Sequence, residues 1–137
     1  MKKFVFLCLI FLSVSSCGLW DDDSVPYHGE ILPVESAVLP TEFKKDSVYE
    51  LPIRYVRPTT CYLFDGFYYQ KDLNVRVVAI YTTVFEQKGC VPPTTNPVTE
   101  ILKFKPTTES SYIFKFWKGK DTQGQNIFEE VEVPVVP

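Results

Sequence analysis

The stretch Ser111-Tyr112-Ile113-Phe114-Lys115-Phe116-Trp117-Lys118 decides the fold. Tyr112, Phe114 and Phe116 fall on one side of an extended chain, opposite Ile113, Lys115 and Trp117. Successive side chains of a strand point to opposite faces, so a period of two signals a half-buried strand; a helix would repeat apolar residues three and four apart. The same alternation runs just upstream, where Leu102 and Phe104 face one way and Lys103 and Lys105 the other. Further back, Val75, Val77, Ala79, Tyr81, Thr83 and Phe85 share a face.

Working outward, seven strands are expected: Ile31–Leu39, Val48–Arg57, Cys61–Tyr69, Val75–Glu86, Val98–Lys105, Ser111–Lys118 and Ile127–Val135. Between them lie turn and loop compositions such as Arg57-Pro58-Thr59-Thr60 and Pro92-Pro93-Thr94-Thr95-Asn96-Pro97. No segment carries a helical stripe over three turns, and there is no solenoid-type repeat. A chain of 137 residues with 45% hydrophobic and 15% aromatic content can offset the entropy of folding as one domain. Its formal charge of −3 argues against a nucleic-acid partner, which would want a basic face. Strands with one face in and one face out require two packed layers, so the expected class is all-β, a two-sheet sandwich.

Seven short strands resemble an immunoglobulin-like or fibronectin-like β-sandwich. The likeness spans Ile31 to the C-terminus at the level of strand pattern. One local feature carries it further. Phe104-Lys105-Pro106, a polar corner and then Ser111-Tyr112-Ile113-Phe114 resemble the tyrosine corner, with Ser110 where that family often has glycine. The resemblance implies that the Tyr112 hydroxyl ties back to the preceding corner.

The N-terminus reads MKKFVFLCLIFLSVSSCG. Lys2 and Lys3 precede the apolar run Phe4–Leu12, which is too short for a bilayer span of about 20 residues. These are the proportions of a secretory signal; a buried first strand is the alternative. Val14-Ser15-Ser16-Cys17 resembles the lipobox of bacterial lipoproteins, with Val14 where leucine is commoner and Ser16 where glycine or alanine is commoner. That resemblance implies cleavage after residue 16, lipidation of Cys17 and a membrane partner held through the lipid; the rival is ordinary secretion with Cys17 free or paired. Residues 17–30 read as an acidic flexible tether, and residues 31–137 as the β-domain. Asp21, Asp22 and Asp23 have two readings, a solvated spacer or an address. The second rests on a likeness to the export signal of surface lipoproteins in the Bacteroidota, whose small members share the lipobox, acidic tether and single β-domain. The resemblance implies an outer-membrane location, on the cell surface or facing the periplasm.

Cys8 leaves with the signal and Cys17 is taken by lipid, so Cys61 and Cys90 remain as an even pair in an exported chain. A hairpin turning near Lys71–Asn74 places Cys61 opposite roughly Val84, with Cys90 on the exit beyond. A disulfide is expected there, pinning one hairpin and bracing the loop Cys90–Pro97.

Chemistry-bearing constellations are missing. The only histidine, His28, falls on the segment read as tether, which excludes a fixed triad. There is no Cys-x-x-Cys, zinc cluster, phosphate loop or nucleophile elbow. Glu129, Glu130 and Glu132 read as a solvated edge. No enzyme, cofactor or metal is expected. Tyr62, Phe64, Phe67, Tyr68 and Tyr69 crowd one hairpin, more rings than one inward face can take. Tyr69 and Trp117 are the expected outward rings of a binding patch, rimmed by Arg54, Arg57 and Arg76. The expected role is a non-catalytic binding module of the cell envelope with a protein or glycan partner. The alternatives are an accessory subunit of an outer-membrane assembly and a protease inhibitor using the loop Cys90–Pro97.

Overall fold

The computed structural model describes residues 18 and 23–137. The signal segment, Cys17, Asp21 and Asp22 lie outside the described residues. Nine strands follow in order: β1 (Tyr27–Leu32), β2 (Ser36–Ala37), β3 (Phe43–Lys44), β4 (Tyr49–Tyr55), β5 (Tyr62–Asp72), β6 (Val75–Phe85), β7 (Val98–Phe104), β8 (Ser111–Lys120) and β9 (Asn126–Val136).

They form a six-stranded and a three-stranded sheet. The larger runs β1-β6-β8-β9-β3, with β5 on the other edge of β6; the smaller runs β2-β4-β7. Strand β6 is its axis. One edge pairs with β5 along nearly its whole length. The other edge is shared, antiparallel with β1 from Ile80 to Phe85 and parallel with β8 from Val75 to Val78. The expected all-β class is therefore the one found. The strand order does not single out the immunoglobulin topology: β6 runs parallel to β8, and β3 parallel to β9, in a sheet that is otherwise antiparallel.

The core lies between the sheets. Leu51, Ile53, Tyr55, Leu102 and Phe104 of the smaller sheet meet Val78, Ile80, Tyr112, Phe114, Phe116 and Val133 of the larger. Phe104 sits at its centre, with ring centroids 4.9 Å from Tyr112, 5.1 Å from Phe114 and 5.0 Å from Phe43. These are edge-on or tilted contacts at favourable separations. Both period-two predictions hold here: Tyr112, Phe114, Phe116, Leu102 and Phe104 are buried, while Lys103 and Lys105 are exposed. The tyrosine corner is present, with the Thr107 backbone N–H donating to the Tyr112 hydroxyl at 2.9 Å.

Two expectations are corrected. The strand drawn from Ile31 to Leu39 is divided, because the chain crosses between the sheets. The Val34 amide donates to the Trp117 carbonyl of the larger sheet, and the next amide, Glu35, to the Arg54 carbonyl of the smaller. Pro33, which has no amide to donate, sits at the break. At the other end, β1 begins at Tyr27 and takes in the last four residues of the segment read as tether.

A β-bulge in β5 has larger consequences. Phe64 pairs with Thr82 and Gly66 with Tyr81, leaving Asp65 without an opposite residue. Gly66 has φ 136°, a conformation glycine adopts without strain and other residues rarely reach. The extra residue swaps the faces of the strand beyond it. Tyr62, Phe64, Phe67 and Tyr69 all pack against the core, while Leu63 and Tyr68 are exposed.

Candidate functional site

The outer face of the larger sheet carries a cleft of about 460 Å³. Alternation along β6 builds its floor: Val78 and Ile80 point to the core, so Val77 and Ala79 point outward. Tyr68 and Gln70 of β5 form one wall, Ile31 of β1 closes one end, and Trp117, Asn126 and Phe128 line the rest. Tyr68 reaches this face only because of the bulge. The Trp117 indole N–H donates to Asn126 Oδ1 at 3.1 Å, which holds the ring in place. Lys115 sits over the Phe128 ring at 4.9 Å, and Lys120 lines the cleft. Two flat rings, a phenol, an aliphatic floor and two side-chain amides can receive a ligand with both an apolar face and hydroxyl groups.

The residues expected to form one patch are dispersed. Trp117 is in the cleft, half-buried. Tyr69 is not, because the bulge turns it inward; burial pushes its phenol pKa up, against the opposing charge of Arg76. Arg54 is exposed on the smaller sheet, between the core-facing Ile53 and Tyr55. Arg57 follows β4, where its Nη1 donates to the Tyr62 carbonyl at 3.4 Å. Arg76 is buried at the opposite end of the β5–β6 hairpin, beside Leu73. At about 3.3 Å per residue, the two arginines stand roughly 30 Å apart along β5. Sequence reasoning missed Tyr68, Gln70, Asn126 and Phe128. The pair Asp65-Gly66 was the one signal that could have moved Tyr68 to the outer face.

Cys61 and Cys90 are disulfide-bonded, with Cα atoms 5.4 Å apart. The hairpin turns on Leu73-Asn74 alone, with Asp72 opposite Val75, and the bulge takes back one of the two residues this adds, so Cys61 lies one residue from the expected Val84 and its carbonyl accepts from the Phe85 amide. The loop beyond is braced at both ends. The Thr60 amide donates to the Val91 carbonyl at 2.8 Å, and the Asn96 side chain bridges the Arg57 amide (3.0 Å) and carbonyl (2.8 Å).

The three glutamates of β9 are paired at the surface. Glu130 lies 3.5 Å from Lys115 and Glu129 3.5 Å from Lys118, while Ser111 donates to Glu132. Among the described residues no group of three or more His, Cys, Asp or Glu side chains could hold a metal. His28 belongs to β1 rather than to a tether. Its Nδ1 is 3.0 Å from Glu86 and its Nε2 3.5 Å from Glu30. The hydrogen bond to Glu86 is the main reason its pKa is raised above 6.5. A pKa raised by folding means that the charged form stabilises the fold. That contribution is present below pH 6.5 and is lost as pH rises through the folded-state value. Melting curves across pH 5.5–8 are therefore expected to show a small loss of stability toward high pH that His28→Gln removes. An imidazole titration by NMR at or below 6.5 would overturn this assignment.

No protein-family model, no curated protein and no solved structure matches the chain.

Proposed function

We propose that this chain is a non-catalytic binding module of the cell envelope that receives a glycan in the Trp117 cleft. The observation that carries the reading is the indole of Trp117, held by Asn126 and set beside Phe128 and the Gln70 amide over an aliphatic floor. Rings present apolar area at low entropy cost, and the amides and the Tyr68 hydroxyl supply the polar contacts a sugar needs. The lipobox-like Val14–Cys17 and the basic, apolar start support export and a lipid anchor at Cys17. On that reading the protein is tethered to the outer membrane without spanning it.

The chain has two tryptophans, Trp20 and Trp117. In Trp20→Phe protein the emission reports the cleft alone. Titration with soluble cell-surface polysaccharides is expected to shift that emission. Trp117→Ala is expected to weaken retention on the same polysaccharide by about tenfold or more, as for other buried aromatic anchors. Retention unchanged by Trp117→Ala would reject the cleft as the site. Protease shaving of intact cells, beside a Cys17→Ala variant, tests the anchor and the side of the membrane on which the domain stands.

A further inference from the structure

We infer that the end of the sandwich beside the tyrosine corner is a second site, which binds a dianionic tetrahedral oxyanion, a phosphoryl or sulfuryl group, on Arg76. A cavity of about 310 Å³ opens there between the hairpin end of β5–β6 and the end of β7. Its polar lining is Tyr69, Lys71, Arg76, Lys103, Lys105 and Thr107. Four of these are cations and none is an acid, in a chain whose formal charge is −3. The concentration of positive charge is therefore local to this cavity and does not reflect a basic protein.

Arg76 is the decisive group. It is only 8% exposed. Nη1 donates to the Leu73 and Val75 carbonyls, both at 2.8 Å, and the guanidinium lies 4.9 Å from the Tyr112 ring centre. Those contacts fix the plane of the fork. Nε is buried without a partner, and among the described residues the Tyr69 phenol is the one side chain that reaches the guanidinium with a hydrogen bond. No carboxylate of the described residues comes within salt-bridge distance; their ion pairs are His28 with Glu30 and Glu86, Lys115 with Glu130, and Lys118 with Glu129. A buried charge without a counter-charge is unfavourable. Arg76 lines the cavity, and a guanidinium's paired N–H donors match the oxygens of an oxyanion. Lys71, whose Nζ lies 6.0 Å from the Tyr69 ring centre, brings a second charge to the cavity, and Lys103 and Lys105 stand at its rim; the summed charge favours a dianion over a carboxylate.

The position also matters. Tyr27 pairs with Phe85 at the disulfide end of the larger sheet, so the chain enters at that end and the cavity lies at the other. It is also separate from the Trp117 cleft on the sheet face, and it stands whether or not that cleft binds a glycan.

The chain has three arginines, Arg54, Arg57 and Arg76. Their Nε–H signals can be followed in full-length 15N-labelled protein, with Arg76→Lys assigning the third. Inorganic phosphate, inorganic sulfate and a small phosphomonoester are titrated separately, against sodium chloride at matched ionic strength. The expected result is a saturable shift of the Arg76 signal alone. It should weaken at least tenfold in the Lys103→Gln/Lys105→Gln protein, whose substitutions are on exposed side chains. A phosphomonoester that binds more tightly than phosphate makes the ligand a larger molecule carrying the group; equal affinities make it the free ion. The proposal is overturned if the Arg76 signal stays still, if chloride moves it equally, or if the double-lysine variant binds like the original protein.

Discussion

Phe114→Ala is expected to cost about 3–5 kcal/mol of folding stability, the usual range for emptying a buried phenylalanine site. Phe114 is fully buried at the middle of β8. Its ring is tilted or edge-on to Phe43 (6.0 Å) and Phe104 (5.1 Å) and stacks on Phe116 at 5.9 Å. These neighbours come from β3, β7 and β8, so the hole left behind is walled by three strands whose positions are set by backbone pairing. Such a site relaxes little, which places the cost high in the range. Domains of this size have roughly 5–15 kcal/mol in all, so a large part of the fold's margin would go. A urea midpoint lowered by roughly 2 M is the expected readout. Phe114→Leu keeps most of the volume and should cost under about 1.5 kcal/mol. Ile101→Ala, at a residue 44% exposed on the neighbouring sheet, should stay within about 0.5 kcal/mol. A Phe114→Ala loss no larger than that of Ile101→Ala would mean that the two sheets do not meet at this ring.

The gradient in those three variants follows what was legible in the sequence. Phe114, Leu102 and Phe104 could be assigned to the core because each lies in an unbroken alternation, and alternation is a local property. Tyr69 could not. Its face depends on one unpaired residue, Asp65, placed before Gly66, and a single insertion inverts every side chain after it. His28 was misplaced for another reason. Tyr27-His28-Gly29-Glu30 has no apolar alternation, and β1 is held by backbone pairing to β6 with its polar side chains bound to Glu86 and Tyr62. The two candidate sites lie furthest from local reading. Trp117 was recognisable as an outward ring, but the cleft also needs β1, β5, β6 and β9 beside it. Arg76 reads in the sequence like any surface arginine. Its burial follows from the parallel pairing of β6 with β8, which brings Tyr112 over the guanidinium, and no local pattern announces that pairing.

Removing the disulfide with Cys61→Ala/Cys90→Ala is expected to cost about 3–4 kcal/mol, the loop-closure value for a separation of 29 residues. The cost arises mainly in the unfolded chain, since the native end of the hairpin keeps other ties. The Phe85 amide still reaches the Cys61 carbonyl, Thr60 still pairs with Val91, and Asn96 still bridges Arg57. The variant should therefore fold to the same sheets with a lower urea midpoint. Reduced original protein should match it, and reductant should not change the variant further. A loss below about 1 kcal/mol would show that those hydrogen bonds already restrict the unfolded chain or that the bond strains the native one. The same pair tests export. Disulfides persist in oxidising compartments and are rare in the cytosol. Thiol trapping in cells should find Cys61 and Cys90 oxidised when residues 1–16 are present and reduced when they are deleted. The deleted form should then lack the 3–4 kcal/mol and be cleared faster. Equal oxidation with and without residues 1–16 would remove the export signal from the argument and leave the bond to be explained by the fold alone.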